Sequence, residues 1–90
     1  MARILITPEE MDQIAKQFLD GASQSEQLTS KLNSAISSLQ SQWDGATQNK
    51  FIQRYEVDKK NMQTYIENLK AISEELKTIA NRFRQADQQG

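Results

Sequence analysis

The apolar residues of this chain recur at intervals of three and four along two long stretches that meet at Gly45. This spacing places apolar side chains on one face of an α-helix. Apart from Gly21, neither stretch contains a glycine or a further proline after Pro8, so few turns are available. The pattern predicts two helices, at about 8–42 and about 46–86, joined by a turn at 43–45.

The start of the first helix is marked by Thr7-Pro8-Glu9-Glu10. Thr7 can cap the helix, Pro8 suits its first position, and Glu10 completes a capping box. We expect residues 1–90 to form one all-α domain, an antiparallel two-helix hairpin. Because the second helix is the longer one, its C-terminal end is expected to extend several residues past the start of the first.

A second apolar row runs beside the main row on each helix, although only 37% of the residues are hydrophobic. Two helices bury only their facing rows, so the remaining rows predict a further helical partner and a four-helix bundle. The candidate dimer interface consists of seven side chains of the first half: Ala15, Phe18, Ala22, Leu32, Ile36, Leu39 and Trp43. Trp43, at the turn, allows two interpretations: it covers the end of the bundle, or it faces a partner.

The composition excludes most catalytic chemistry, because the chain contains no cysteine and no histidine. Disulfides, thiolate nucleophiles, the usual zinc ligands and the commonest general base are all absent. We therefore expect no enzyme, no catalytic or metal-binding residue and no cofactor. The net charge of -1 argues against nucleic-acid binding, and no apolar run is long enough for stable membrane insertion.

The tripeptide Trp43-Asp44-Gly45 lies at the one break between the two helical patterns. With the length of the chain and the opening Ile4-x-Ile6-Thr-Pro-Glu-Glu, it resembles the WXG-motif, ESAT-like family of type VII (Esx) secretion substrates, and in particular the members from Firmicutes. The resemblance covers nearly the whole sequence and implies a helical hairpin that dimerises into a four-helix bundle.

The resemblance also implies an export route and a partner in the secretion machinery. Family members leave the cell without a cleaved signal peptide, and a membrane ATPase of the secretion system recognises them. Their C-terminal export signal has the form Tyr-x-x-x-Asp/Glu, and Phe83 and Asp87 match its spacing, with Phe in place of Tyr. The chain is therefore expected to be cytoplasmic before export and secreted afterwards. It is expected to form a homodimer, or a heterodimer with a paralogue, and to act by protein–protein contacts, with a possible virulence role.

Two alternatives remain open at this stage. The chain can instead be a cytoplasmic helical adaptor or chaperone that dimerises around a partner helix. Phe83 can also be the last core residue of the second helix, with Asp87 exposed to solvent and neither residue part of an export signal. The export signal requires instead that both residues lie on a part of the second helix that the first helix mostly leaves uncovered.

Overall fold

The computed structural model describes residues 6–43 and 45–89, which form two long helices and no strand. Helix α1 spans Pro8–Gln40 and helix α2 spans Ala46–Gln89. The helices run antiparallel, and the molecule measures 68 × 21 × 17 Å. Its radius of gyration is 20.2 Å, against about 12 Å for a compact globule of this length. The predicted all-α hairpin is confirmed, and it forms a rod only two helices wide.

Helix α1 begins with the cap that the sequence predicts. The hydroxyl of Thr7 accepts a hydrogen bond from the Glu10 backbone N–H at 3.1 Å, and Pro8 occupies the first turn. The carbonyl of Thr7 also accepts from the Met11 N–H at 3.0 Å. These contacts satisfy backbone N–H groups that have no partner inside the helix.

Helix α1 ends at Gln40, two residues before the expected boundary. The Ser41 hydroxyl donates to the Ser38 carbonyl at 2.7 Å, and the Gln42 N–H donates to the Leu39 carbonyl at 3.1 Å. Short polar side chains compete in this way for the backbone groups that would continue a helix. The serine-rich end of α1 thus stops the helix before the aromatic residue of the turn.

Helix α2 extends to Gln89, past the expected boundary at about 86, because neither glycine nor proline interrupts it. Its Arg84 side chain contacts Asp12 of α1, with Nη2 and Oδ2 2.5 Å apart. Asp12 lies four residues after the start of α1, and Arg84 lies five residues before the end of α2. The two helices therefore end nearly level, and the expected overhang of several residues is not found.

Small side chains form the centre of the contact between the helices. Ala15 and Ala22 of α1 and Ala80 of α2 have no exposed surface, and Ser73 and Ile66 of α2 are 1% and 6% exposed. The residues on each helix are seven apart, which is the repeat that keeps one row facing a partner helix. Because alanine and serine are short, the two helix backbones pack closely along this row.

The same contact carries several polar groups. Ser73 is buried, and its hydroxyl has no hydrogen-bond partner among the residues that the structure describes. Nearer the turn, the Tyr55 hydroxyl donates a hydrogen bond to Oδ1 of Asn33. The Thr29 hydroxyl donates to the Ser25 carbonyl of its own helix at 2.8 Å. The contact inside the hairpin is therefore only partly apolar.

Candidate interaction surface

The turn between the helices is built on a glycine with an unusual backbone conformation. Gly45 has φ = 116°, a region that side-chain-bearing residues rarely adopt. On its α1 side, the Gln40 carbonyl accepts from the Gln48 side-chain amide of α2 at 3.1 Å, which ties the two helix ends together. The structure thus gives Gly45 a clear role in reversing the chain, whereas Asp44 lies outside the described residues.

Trp43 lies half-buried at the turn and packs on Phe51 in the first part of α2. The two ring centroids are 5.6 Å apart and the rings are tilted by 46°. Tilted aromatic pairs at this separation attract each other beyond the effect of buried area. Phe51 remains 40% exposed, so the aromatic pair both covers the end of the hairpin and presents apolar surface outward.

One side of the contact between the helices is lined by ion pairs. Lys70 Nζ lies 2.5 Å from Glu26 Oε1, and Arg84 Nη2 lies 2.5 Å from Asp12 Oδ2. The two acids are fourteen residues apart on α1, and so are the two bases on α2. Since this is twice the seven-residue repeat, all four side chains lie along the same edge. We call this edge the ion-paired face.

The Arg84 guanidinium is the most connected charge of this face. It also donates to the Asn81 side chain at 3.1 Å and lies 3.9 Å from a Glu9 carboxylate oxygen. Its hydrogen bond with Asp12 raises the pKa of Arg84 above its ordinary value, so the guanidinium stays charged. Arg84 therefore holds the C-terminal end of α2 against the first turns of α1.

The opposite side of the contact between the helices is apolar and open. It carries large side chains that are each between 36% and 55% exposed. Leu28 of α1 and Tyr65 of α2 border one groove, which shows that the two rows lie on the same side of the hairpin. We call this side the apolar face, and its exposed members are Ile14, Leu28, Leu32, Leu39, Phe51, Tyr65 and Ile72.

The structure divides the predicted dimer interface into three groups. Ala15 and Ala22 are fully buried inside the hairpin, so their assignment to a partner-facing row is wrong. They face α2 of the same chain because only small side chains fit where the helices approach closely. Leu32 and Leu39 are 47% and 41% exposed and belong to the apolar face. The remaining predicted members are half-buried: Phe18, Ile36 and Trp43.

Sequence reasoning did not place Ile14, Leu28, Phe51, Tyr65 or Ile72 in the candidate interface. Those large residues were expected to face the other helix of the hairpin, because the most apolar row usually marks the core. A usable signal was present in the charges. Acids and bases at seven-residue multiples mark one edge of a helix pair, and the apolar face lies across from that edge.

The candidate export signal lies on the last turns of α2. Phe83 is half-buried beside the start of α1 rather than beyond it, because the neighbouring Arg84 is held at Asp12. Asp87 belongs to the same helix, and its side chain lies outside the described residues. The expectation that both residues extend past the cover of α1 therefore does not hold for Phe83.

Within residues 6–43 and 45–89, no three acidic side chains come together in a group that could hold a metal ion. Over the same residues, neither helix has a stretch that is long and apolar enough to cross a lipid bilayer.

Comparison with known proteins identifies similar sequences and folds. Residues 3–88 match the WXG100 family, described as proteins of 100 residues with WXG. The chain is 34% identical over 87 residues to protein YukE of Bacillus subtilis (strain 168), covering 94% of this chain and 88% of YukE. The similarity therefore extends over almost the full length of both proteins.

Solved structures of two Esx proteins share the hairpin. The secreted protein EsxB of Bacillus anthracis str. Sterne is 45% identical, with a TM-score of 0.85 over 97% of this chain and 99% of that one. EsxA of Geobacillus thermodenitrificans is 29% identical, with a TM-score of 0.84 over 97% of this chain and 95% of that one. Sequence and fold agree across the whole hairpin.

Proposed function

The chain belongs to the WXG100 family, and we propose that it is a type VII secretion substrate, exported as a folded homodimer, that acts by binding other proteins. The family resemblance inferred from Trp43-Asp44-Gly45 is confirmed. Members of this family are secreted helical hairpin proteins without enzymatic activity, so the prediction that the chain is not an enzyme is confirmed as well.

The difference between the two faces of the hairpin is the observation that supports a dimer. Charges are paired across the ion-paired face, whereas the apolar face leaves Leu28, Tyr65 and Ile72 40–55% exposed. A row of exposed large apolar side chains along two helices is typical of an interaction site. A second hairpin placed on this face gives the four-helix bundle that its length and shape suit.

Sedimentation and light scattering test the dimer directly. We expect a particle of twice the 10.3 kDa mass of one chain at micromolar concentration. Ile72→Glu puts a charge on the apolar face and is expected to give a monomer. Gln53→Glu puts the same charge on an exposed position of α2 away from that face and serves as the control. A monomeric wild-type chain, or a dimer that tolerates Ile72→Glu, would contradict the proposal.

For the export signal we propose that the secretion ATPase recognises Phe83 and Asp87 on the last turns of α2. The support is their four-residue spacing on one continuous helix, which places them on the same side. Phe83→Ala and Asp87→Ala are each expected to remove the protein from the culture supernatant while it accumulates in cells.

A matched control separates recognition from folding, because Phe83 is half-buried. Leu76→Ala shortens another half-buried apolar side chain, one seven-residue repeat earlier on α2. It is expected to lower stability to a similar degree and still allow export. Normal export of the Phe83 and Asp87 variants, or loss of export with Leu76→Ala at unchanged dimer content, would reject the signal.

The apolar face also suits a helix of a different protein, which keeps the adaptor and the heterodimer as alternatives. Whether the protein is found in the cell extract or in the culture supernatant, and with which partner, distinguishes these two alternatives. A chain that stays in the cell extract, bound to a helical partner and absent from the supernatant, indicates the adaptor. A secreted particle that contains a paralogue in equal amount indicates the heterodimer.

A further inference from the structure

Gly21 lies in the middle of α1 and on the apolar face, a position where glycine is unfavourable. It costs about 1 kcal/mol relative to alanine in a helix interior. A Cβ built at Gly21 would meet one atom, Leu69 Cδ1, at 4.0 Å, which is an ordinary van der Waals contact. Within the part of the chain that the structure describes, nothing requires the absence of a side chain there.

Gly21 lines an opening in the apolar face. This opening has a volume of about 440 Å³ and is open to the outside of the hairpin. Phe18, Leu28, Tyr65 and Leu69 supply its apolar walls, and Gly21 lies among them. The lining also includes three polar residues, Gln17, Gln24 and Ser25. A recess of mainly apolar surface on an exposed apolar face offers room for a large side chain from another molecule.

We propose that the recess at Gly21 receives Leu28 of a second copy of this chain, and that Gly21 thereby sets the register of the dimer. The inference rests on the proposed homodimer. A two-fold interface is reciprocal, so each Leu28 fills the recess of the other chain. Leu28 lies one seven-residue repeat from Gly21 and is 51% exposed, so it is available for this contact.

The position of the two residues in α1 supports this pairing. Helix α1 spans Pro8–Gln40, and its centre lies at residue 24, about midway between Gly21 and Leu28. When a second hairpin is turned end for end on the apolar face, with the α1 helices aligned centre to centre, residue 28 of each comes level with residue 20 of the other. Full alignment of the two α1 helices therefore brings each Leu28 to within one residue of the partner's Gly21, or about 1.5 Å along the helix axis.

The distribution of charge favours a second copy as the occupant. The half of the hairpin near the turn, residues 30–60, has five basic and three acidic side chains, a net charge of +2. The other half, residues 6–29 and 61–86, has five basic and eight acidic side chains, a net charge of -3. Two copies turned end for end bring opposite charges together, so the rod is complementary to itself.

The experiment fills the recess and measures the dissociation constant by sedimentation equilibrium. Gly21→Leu is expected to weaken self-association by at least about 30-fold, because the symmetric dimer then has two overpacked recesses, one in each chain. Ser23→Leu adds the same side chain to the opposite side of α1, where it is exposed, and should leave the dissociation constant unchanged. Far-UV circular dichroism should show helical content in both variants.

A residue swap tests the identity of the occupant. Gly21→Leu combined with Leu28→Gly exchanges the recess and the side chain that fills it, while the composition of α1 stays the same. We expect the double variant to associate more tightly than Gly21→Leu alone. If it does not, Leu28 is not the occupant.

The outcomes separate this inference from the proposed homodimer. A wild-type chain that sediments as a monomer overturns the homodimer and the inference together. A wild-type dimer whose association is equally tight with Gly21→Leu and with Ser23→Leu overturns the recess alone. Weakened association with Gly21→Leu and recovery in the swap support the recess and its occupant.

Discussion

Removing the buried hydroxyl of Ser73 is expected to stabilise the hairpin. Ser73 is 1% exposed and its Oγ has no hydrogen-bond partner among the described residues. A buried polar group without a partner costs about 1–3 kcal/mol. Alanine removes that cost and adds a few tenths of a kcal/mol of helix propensity. For Ser73→Ala we therefore expect a gain of about 1–3 kcal/mol in the free energy of unfolding.

Thermal unfolding followed by circular dichroism measures this effect. At fixed protein concentration, each kcal/mol corresponds to a rise of about 4–8 °C in Tm for a chain of this size. Ser30→Ala is the control, because Ser30 is exposed on α1 and reports helix propensity alone. The reasoning is refuted if Ser73→Ala raises Tm no more than Ser30→Ala does, since the hydroxyl then carries no burial cost.

Further predictions concern the turn, the helix interior and the ends. Gly45→Ala should lower the free energy of unfolding by about 1–3 kcal/mol, because φ = 116° strains any residue that carries a side chain. Gly21→Ala should raise the free energy of unfolding of the monomer by about 1 kcal/mol. Equal shifts of the urea midpoint in the two variants would contradict both predictions. A double-mutant cycle of Trp43→Ala and Phe51→Ala should give a coupling of about 0.5–1.5 kcal/mol, and additive losses would show that the rings do not interact. Arg84→Gln should speed amide exchange in the last turns of α2 and leave the turn unchanged, and high salt should reproduce this effect in the wild type.

The helices and their hairpin follow from local features of the sequence. The Thr7 cap, the three-and-four spacing and the glycine at the turn each act on neighbouring residues, so they can be recognised without the rest of the fold. The choice between two apolar rows is different. Both rows have helical spacing, and the row that packs inside contains Ala15, Ala22 and Ser73, whose side chains are much smaller than those of leucine and tyrosine.

The inner row is small for a reason that only the paired helices reveal. Close approach of two backbones selects short side chains, and it does so at positions set by the partner helix. The position of Phe83, a residue of the proposed export signal, likewise depends on contacts between the two helices. The level of Phe83 beside α1 depends on the ion pair of Arg84, a contact between residues 72 positions apart in the chain.

The distribution of side-chain size suggests how the fold and the association are coupled. The hairpin buries alanine and serine between its own helices, whereas Leu28, Phe51 and Tyr65 stay 40–55% exposed on the apolar face. Each large side chain that becomes fully buried contributes about 1.5–3 kcal/mol, far more than an alanine does. The apolar face therefore still has large side chains to bury, and we assign that face to a second copy. The proposed pairing adds to the stability of the hairpin, so variants that block pairing, such as Ile72→Glu, should also lower Tm.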